Sequence, residues 1–151
     1  MRVVIQRVRR AFITVDSREV ARIGAGLVTL AGFSAGESPA GFRRMAERLA
    51  ALRIFDDDQG RLNRSLRDTQ GELLLIPQIT LTASLAKGTR PSFHTAAAPD
   101  QARELFQTFV REVQTIYPRV TTGVFQAQMV VHLENDGPVT FVLDDLQLSL
   151  E

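Results

Sequence analysis

The chain has 151 residues, of which 44 % are hydrophobic and 23 % charged, with a net charge of +1, no cysteine and two histidines. This composition excludes disulfides, thiolate nucleophiles and cysteine-ligated zinc, and it gives no global basic field that would attract nucleic acid. No apolar run approaches the roughly 18 residues of a membrane helix, and the start lacks a signal-peptide pattern, so we expect one cytoplasmic domain.

The first half of the chain predicts strands followed by a helix. Residues 3–8 alternate between two faces, FITV and a polar turn follow, and GLVTLAGF (26–33) is the apolar run of a strand buried on both faces. Apolar residues then recur at helical spacing from Phe42 to about Phe55. The acidic run Asp56-Asp57-Asp58 ends this predicted helix.

The second half predicts a strand, a helix and a final hairpin. ELLLIPQITL (72–81) is a buried strand that Pro77 makes irregular or places at an edge. A second helix begins at Pro99 and runs to about Tyr117. Residues 124–133 and 139–143 are expected to form a hairpin around an Asn-Asp-Gly-Pro turn.

This order of elements indicates an α+β fold with mostly antiparallel β-sheets and two main helices. We expect a single domain that spans residues 1–151. Residues 143–151, which include Asp144, Asp145 and Glu151, are interpreted as a solvated C-terminal tail.

On its residues alone, the chain contains no side-chain constellation that indicates an enzyme. The aspartates 56–58 could ligate a metal, but three adjacent residues do not share a face, and a solvated loop at the helix end is the favoured interpretation. Ser92 and His94 could pair as nucleophile and base, although a pair so close in sequence is a weak signal. Gly137-Pro138 fits an ordinary turn, but it also fits bare backbone held close to a ligand, with a cis or a trans peptide bond.

Several stretches together resemble the D-aminoacyl-tRNA deacylase family, in the family's order and at its spacing. The resemblance covers residues 1–143. It is carried by MRVVIQRVRRAFITV, IGAGLVTLAGF, RIFDDDQGRLNRSL, PQITL, KGTRPSF, TTGVFQAQM and LENDGPVTF.

The resemblance implies hydrolysis of the ester that links a D-amino acid, or glycine, to the 3′-terminal adenosine of tRNA. It implies a homodimer in which a Gly-cisPro segment, here Gly137-Pro138, enters the partner's pocket and excludes L-amino acids by sterics. The expected partner is therefore tRNA, and no cofactor, metal or membrane is expected. A methyl group added at Gly137 is expected to enter the pocket and to damage activity far more than stability.

Carried over by position, the resemblance also assigns roles to other residues. Arg7 is expected beneath the Gly-Pro segment, with an ordinary surface arginine as the alternative. The pocket is expected to be lined by Pro77, Gln78, Ile79 and Thr80. Of these, Thr80 and Gln78 are expected to act in catalysis. Phe125 and Met129 are expected to pack against the terminal adenine, with plain core packing as the alternative, and Ser92 and Phe93 belong to a loop near the site.

Three positions depart from the family pattern. Pro77 replaces a serine, Ile79 replaces a phenylalanine, and Gln126 stands where glycine is usual. Pro77 removes a hydroxyl and a backbone N–H, and Pro-Gln-x-Thr-Leu is similar to a related animal deacylase that edits L-alanyl-tRNA. Two alternatives therefore remain: a deacylase with relaxed or L-aminoacyl specificity, and a catalytically inactive module that binds the tRNA end.

Overall fold

A long first strand organises the sheet. The computed structural model describes residues 1–144, and β1 (Arg2–Val15) pairs antiparallel with three other strands in it. These are β2 (Arg18–Ile23), β3 (Gly26–Gly32) and β8 (Met129–Asp144). Since β3 and β2 share one edge of β1 in succession, the whole opposite edge is left for β8.

The sheet is mixed rather than mostly antiparallel on its other side. β3 runs parallel to β6 (Glu72–Pro77), and β6 runs parallel to β7 (Val120–Thr122). Parallel neighbours need a crossover connection, and the helical segments of the chain provide it. The expected antiparallel arrangement therefore holds around β1 and in the small sheet of β4 (Phe55–Asp56) and β5 (Leu62–Arg64).

Both main helices form as predicted. The first, α1 (Phe42–Ala51), ends earlier than expected because residues 55–56 pair with β5. The second, α3 (Pro99–Ile116), begins at the predicted proline. A short helix, α2 (Leu66–Thr69), lies between them, and two 3₁₀ helices cover Pro39–Gly41 and Ile79–Thr82. None of the helices in the described part of the chain is long and apolar enough to span a membrane.

The apolar core lies on both faces of the sheet. On one face, α1 and α3 share a buried cluster with the sheet, and the two helices contact each other through Phe42 and Phe109, whose ring centroids are 5.4 Å apart. On the other face, Val8, Ile13 and Ile76 belong to a second buried cluster, against which half-buried Met129 packs. Burying a side chain of this size contributes about 1.5–3 kcal/mol to folding, so both faces stabilise the sheet.

The predicted strand at 72–81 is too long. It ends at Pro77, which pairs with Ala31 at the end of β3, and a 3₁₀ helix follows from Ile79. The backbone N–H of Gln78 donates to the Ala31 carbonyl oxygen at 2.8 Å and anchors the turn. Thr80 therefore lies on a helical turn and not on a strand.

The predicted final hairpin is wrong. The segment Met129–Asp144 is one strand that runs antiparallel to β1 along its whole length, so the Asn-Asp-Gly-Pro residues interrupt a strand and do not reverse it. The predicted solvated tail at 143–151 is wrong for its first two residues, because Leu143 and Asp144 belong to β8 and Leu143 is buried. Residues 145–151 lie outside the described residues.

Candidate active site

A cavity of about 510 Å³ lies where β3 and β6 end. Its walls also include the 3₁₀ helix after β6, the start of α3 and the turn before β8. Six residues that the sequence analysis assigned to a pocket line this one cavity: Pro77, Gln78, Ile79, Thr80, Phe125 and Met129.

Among residues 1–144, no ionisable side chain lines the cavity. Its polar side chains are amides and a hydroxyl, from Gln78, Thr80, Gln126 and Gln128. The Gln78 amide donates a hydrogen bond to Oγ1 of Thr80. A serine- or threonine-type nucleophile needs an adjacent base, and the lining supplies none. The lining therefore suits a reaction that uses neutral hydrogen-bonding groups.

Backbone contacts fix the segment that carries Gln78 and Thr80. A Cβ added to Gly32 would lie 2.6 Å from the carbonyl oxygen of Gln78, so β3 approaches this segment as closely as glycine permits. Buried Thr82 donates its hydroxyl to the Ile79 carbonyl oxygen at 2.9 Å. The position of the 3₁₀ helix is thus set before any ligand binds.

Gly137 and Pro138 form a protrusion from β8. Gln6 pairs with Thr140 and Val8 with Asn135, so four residues of β8 stand opposite Arg7 alone. The peptide bond between Gly137 and Pro138 is cis, and both residues are exposed. The Asn135 side chain braces the protrusion by accepting a hydrogen bond from the Val139 N–H at 2.7 Å.

Arg7 lies under this protrusion and is 5 % exposed. Its Nε donates to the Asp136 carbonyl oxygen at 2.9 Å, while Nη1 donates to the Ile54 carbonyl oxygen at 3.0 Å and to Oδ1 of Asp56 at 3.1 Å. A guanidinium carries its donors in a rigid fork, so these contacts orient the backbone at Asp136. The alternative of a surface arginine is wrong.

A methyl group on Gly137 would meet the chain's own backbone. Gly137 has a φ of +143°, and an added Cβ would lie 2.6 Å from Cγ2 and 2.9 Å from N of Val139. The expectation that such a group simply enters a substrate pocket is therefore corrected, because the substitution distorts the protrusion first.

Other predicted residues lie away from the cavity of this chain. Gly137, Pro138 and Arg7 do not line it, and neither do Ser92 and Phe93. Both residues of the latter pair are exposed on the loop before α3. In that loop Oγ of Ser92 lies 2.7 Å from Nδ1 of His94.

The three adjacent aspartates each have a different partner. Asp56 pairs with Arg7, Asp58 pairs with Arg64 at 2.7 Å, and Asp57 accepts hydrogen bonds from its own hairpin. The backbone N–H groups of Arg61 and Gln59 hold the pKa of Asp57 below its usual value. Within residues 1–144, no group of three or more His, Cys, Asp or Glu side chains is arranged to hold a metal.

Known proteins resemble this chain in sequence and in fold. A family model described as D-Tyr-tRNA(Tyr) deacylase matches residues 4–144. The chain belongs to this family. The resemblance drawn from the motifs is thereby confirmed, and so is the expected class of enzyme, an aminoacyl-tRNA deacylase that hydrolyses an ester.

Curated relatives match the deacylase over nearly their whole length. The D-aminoacyl-tRNA deacylase of Desulfitobacterium hafniense (strain DSM 10664 / DCB-2) is 49 % identical over 144 residues, which are 95 % of this chain and 97 % of the relative. The D-aminoacyl-tRNA deacylase of Stenotrophomonas maltophilia (strain K279a) is 52 % identical over 144 residues, 95 % of this chain and 99 % of the relative.

Solved structures have the same fold as the deacylase. A protein described as c-Myc DNA Unwinding Element Binding Protein superposes with a TM-score of 0.90 at 35 % identity, covering 95 % of this chain and 98 % of its own. A probable eukaryotic D-amino acid tRNA deacylase superposes with a TM-score of 0.82 at 21 % identity over the same shares of the two chains.

Sequence reasoning missed two groups in the deacylase. One is Asp56, which the acidic run predicts to lie in a solvated loop, although a buried arginine at position 7 requires a charged partner. Arg103 was not considered, yet its guanidinium lies 4.9 Å from the ring centroid of Phe125 at the cavity. No local pattern signals that second contact, because it joins residues from α3 and from the turn before β8.

Proposed function

We propose that the chain hydrolyses the ester of D-aminoacyl-tRNA, and of glycyl-tRNA formed on tRNA for alanine, to free amino acid and tRNA. Water adds to the ester carbonyl carbon, the ester C–O bond breaks, and the ribose oxygen takes the proton. One observation carries the proposal: the predicted pocket residues line one cavity, while Gly137-Pro138 protrudes outside it. The protrusion is therefore free to enter a second chain.

A homodimer would complete this site. β8 pairs with β1 along one edge, and beyond the protrusion it carries Phe141 and Val142, whose side chains are 39 % and 53 % exposed. An exposed apolar edge strand is a natural surface for a second copy. The proposed cytoplasmic enzyme is such a dimer, and its exposed Ser92–Phe93 loop would lie near the assembled site.

The proposed selectivity is steric. The carbonyl oxygens of the partner's Gly137 and Pro138 accept hydrogen bonds from the substrate's amino group. In this orientation an L side chain is directed into main-chain atoms, while a D side chain projects outward. Glycine has no side chain, so the filter does not exclude it. A filter that works by rejection tolerates many different D side chains.

Catalysis would rest on neutral groups, without a cofactor or metal. The lining offers amides, a hydroxyl and main-chain N–H groups, which stabilise a developing oxyanion when they are held in place. Thr80 and Gln78 would position the water and the ester, and the 2′-hydroxyl of the substrate would assist. Phe125 and Met129 would contact the terminal adenine, which is common to every tRNA.

Pro77 supports a second candidate. It lines the cavity and has neither a hydroxyl nor a backbone N–H to offer a substrate. A pocket changed at this point could accept L-aminoacyl esters, or could bind the tRNA end without turnover.

Hydrolysis of matched D- and L-aminoacyl-tRNA distinguishes these candidates. With tyrosyl and alanyl esters on the same tRNAs, we expect kcat/KM to be at least about a hundredfold higher for each D-ester, as a steric filter requires. Faster loss of the L-esters would establish the Pro77 alternative. Binding without hydrolysis of either form would establish the inactive module.

A further inference from the structure

A charged side chain contacts two residues of the cavity lining, and within residues 1–144 it has no charged partner. Arg103 lies in the second turn of α3, directly after Ala102, which lines the cavity. Its guanidinium is held over the ring of Phe125, and Nη2 donates to Oε1 of Gln126. Both of these contacts are with uncharged residues that also line the cavity.

No carboxylate in residues 1–144 forms an ion pair with Arg103. Asp100 precedes it by three residues on the same helix, at a spacing where helical ion pairs form, yet the two do not pair. A guanidinium has five N–H donors in a planar fork. Gln126 accepts from one of these donors and the Phe125 ring covers one face, so a full positive charge and further donors remain beside the cavity lining.

Gln126 holds this arrangement at a position where the backbone favours glycine. Its φ is +62°, in the left-handed region, and its side chain amide receives the guanidinium. A glycine at this position would adopt the backbone more easily but would offer no acceptor. The chain thus places a side chain where one is disfavoured, and that side chain fixes an arginine beside the cavity.

We propose that Arg103 binds the phosphodiester that joins the terminal adenosine to the rest of the tRNA. This inference rests on the proposed function, in which Phe125 contacts the terminal adenine. The 5′ phosphate of a nucleotide lies one ribose away from its base, so a cation stacked on the adenine-binding ring is close to it. A guanidinium matches phosphate in charge and geometry, and such a contact adds affinity without reading sequence.

The test compares two substrates that differ in phosphate. One is a D-aminoacyl-tRNA, and the other is the same D-amino acid esterified to adenosine, which carries no phosphate. In Arg103→Gln, we expect KM for the tRNA to rise about three- to tenfold with little change in kcat. The ratio of kcat/KM between tRNA and adenosine substrates should fall by the same factor.

Salt provides a readout that a purely structural role would not change. Loss of one phosphate contact to a single strand should reduce the slope of log(kcat/KM) against log[salt] by about 0.7. Arg111→Gln is the matched control, since Arg111 is exposed, lies about 12 Å further along the same helix and donates to Thr108. That control removes the same charge and should leave both substrates as in the unmodified enzyme.

Gln126→Gly tests the support of Arg103 separately. It keeps the left-handed backbone and removes the acceptor, so the tRNA-to-adenosine ratio should fall to a value between those of the unmodified enzyme and Arg103→Gln. Equal losses on both substrates in Arg103→Gln, or no loss on either, would overturn the inference. If the unmodified enzyme hydrolyses neither substrate, the proposed function itself fails, which is a different result.

Discussion

At the scale of single residues, the account depends on Arg7. This buried side chain links the backbone under the protrusion to the start of β4 through three hydrogen bonds. Its burial could be expected, because Val3, Ile5 and Arg7 share one face of a strand. Its contact with Asp56 could not be expected, because the two residues are 49 positions apart in the sequence and meet only in the folded chain.

Replacing Arg7 should therefore affect both stability and activity. Arg7→Gln leaves buried carbonyl oxygens and a carboxylate without their donors, and we expect the free energy of unfolding to fall by about 2–3 kcal/mol. Urea unfolding measures the loss, and deacylation kinetics should show kcat/KM reduced by more than tenfold as the protrusion shifts.

Arg9→Gln is the matched control for this variant. Arg9 is on the same strand and pairs with the side chain of Asp136 at 3.1 Å, but its own side chain is 75 % exposed. An exposed ion pair contributes at most about 1 kcal/mol, so this variant should remain close to the unmodified protein. Similar losses in the two variants would contradict the role given to Arg7.

At the scale of elements, the helices followed from the sequence more closely than the strand pairing. α3 begins at Pro99, as its composition predicts, because capping and periodicity are local properties. The Asn-Asp-Gly-Pro segment predicts a hairpin turn, but its residues suit a turn and a strand protrusion alike. Only the distant partner β1 decides between them, and residue types near the segment carry no information about it.

The central strand β3 contains a side chain that the fold does not satisfy. Thr29 is fully buried between β1 and β6, and its Oγ1 has no hydrogen-bond partner within residues 1–144. Thr29→Val keeps the shape and removes the buried hydroxyl, so we expect the free energy of unfolding to rise by about 1 kcal/mol. Thr82→Val is the control: its hydroxyl has partners, and its loss should destabilise by a similar amount. A destabilised Thr29→Val would refute this interpretation.

The start of α2 should make stability depend on acid pH. Hydrogen bonds from the Ser65 backbone N–H and hydroxyl hold the pKa of Asp68 below its usual value. Because the pKa is lower in the folded state, the ionised Asp68 stabilises the fold at any pH above its unfolded pKa of about 4. This stabilisation is lost as the pH falls through the folded pKa. In thermal unfolding, Asp68→Asn should be less stable than the unmodified protein at pH 7, and the difference should shrink towards pH 3. A difference that does not change with pH would be inconsistent with the capping interaction.

At the scale of the whole molecule, one chain provides the two halves of the proposed site in separate places. The cavity lies at the ends of β3 and β6, and the protrusion lies on β8 opposite Arg7. The motifs name residues in each half, but a motif carries no information on whether the two halves meet within one chain. In the proposed function a second copy of the chain brings the two halves together, which makes dimerisation the central claim.

Mixing two inactive variants tests that claim most directly. Ala127→Phe fills the cavity that Ala127 lines, and Gly137→Ala distorts the protrusion. Each variant alone should be folded, dimeric and inactive on D-aminoacyl-tRNA. After co-expression, random pairing places one intact cavity opposite one intact protrusion in half of the dimers, so about a quarter of the unmodified activity should return. Mixed dimers that form but recover no activity would contradict a site shared between subunits.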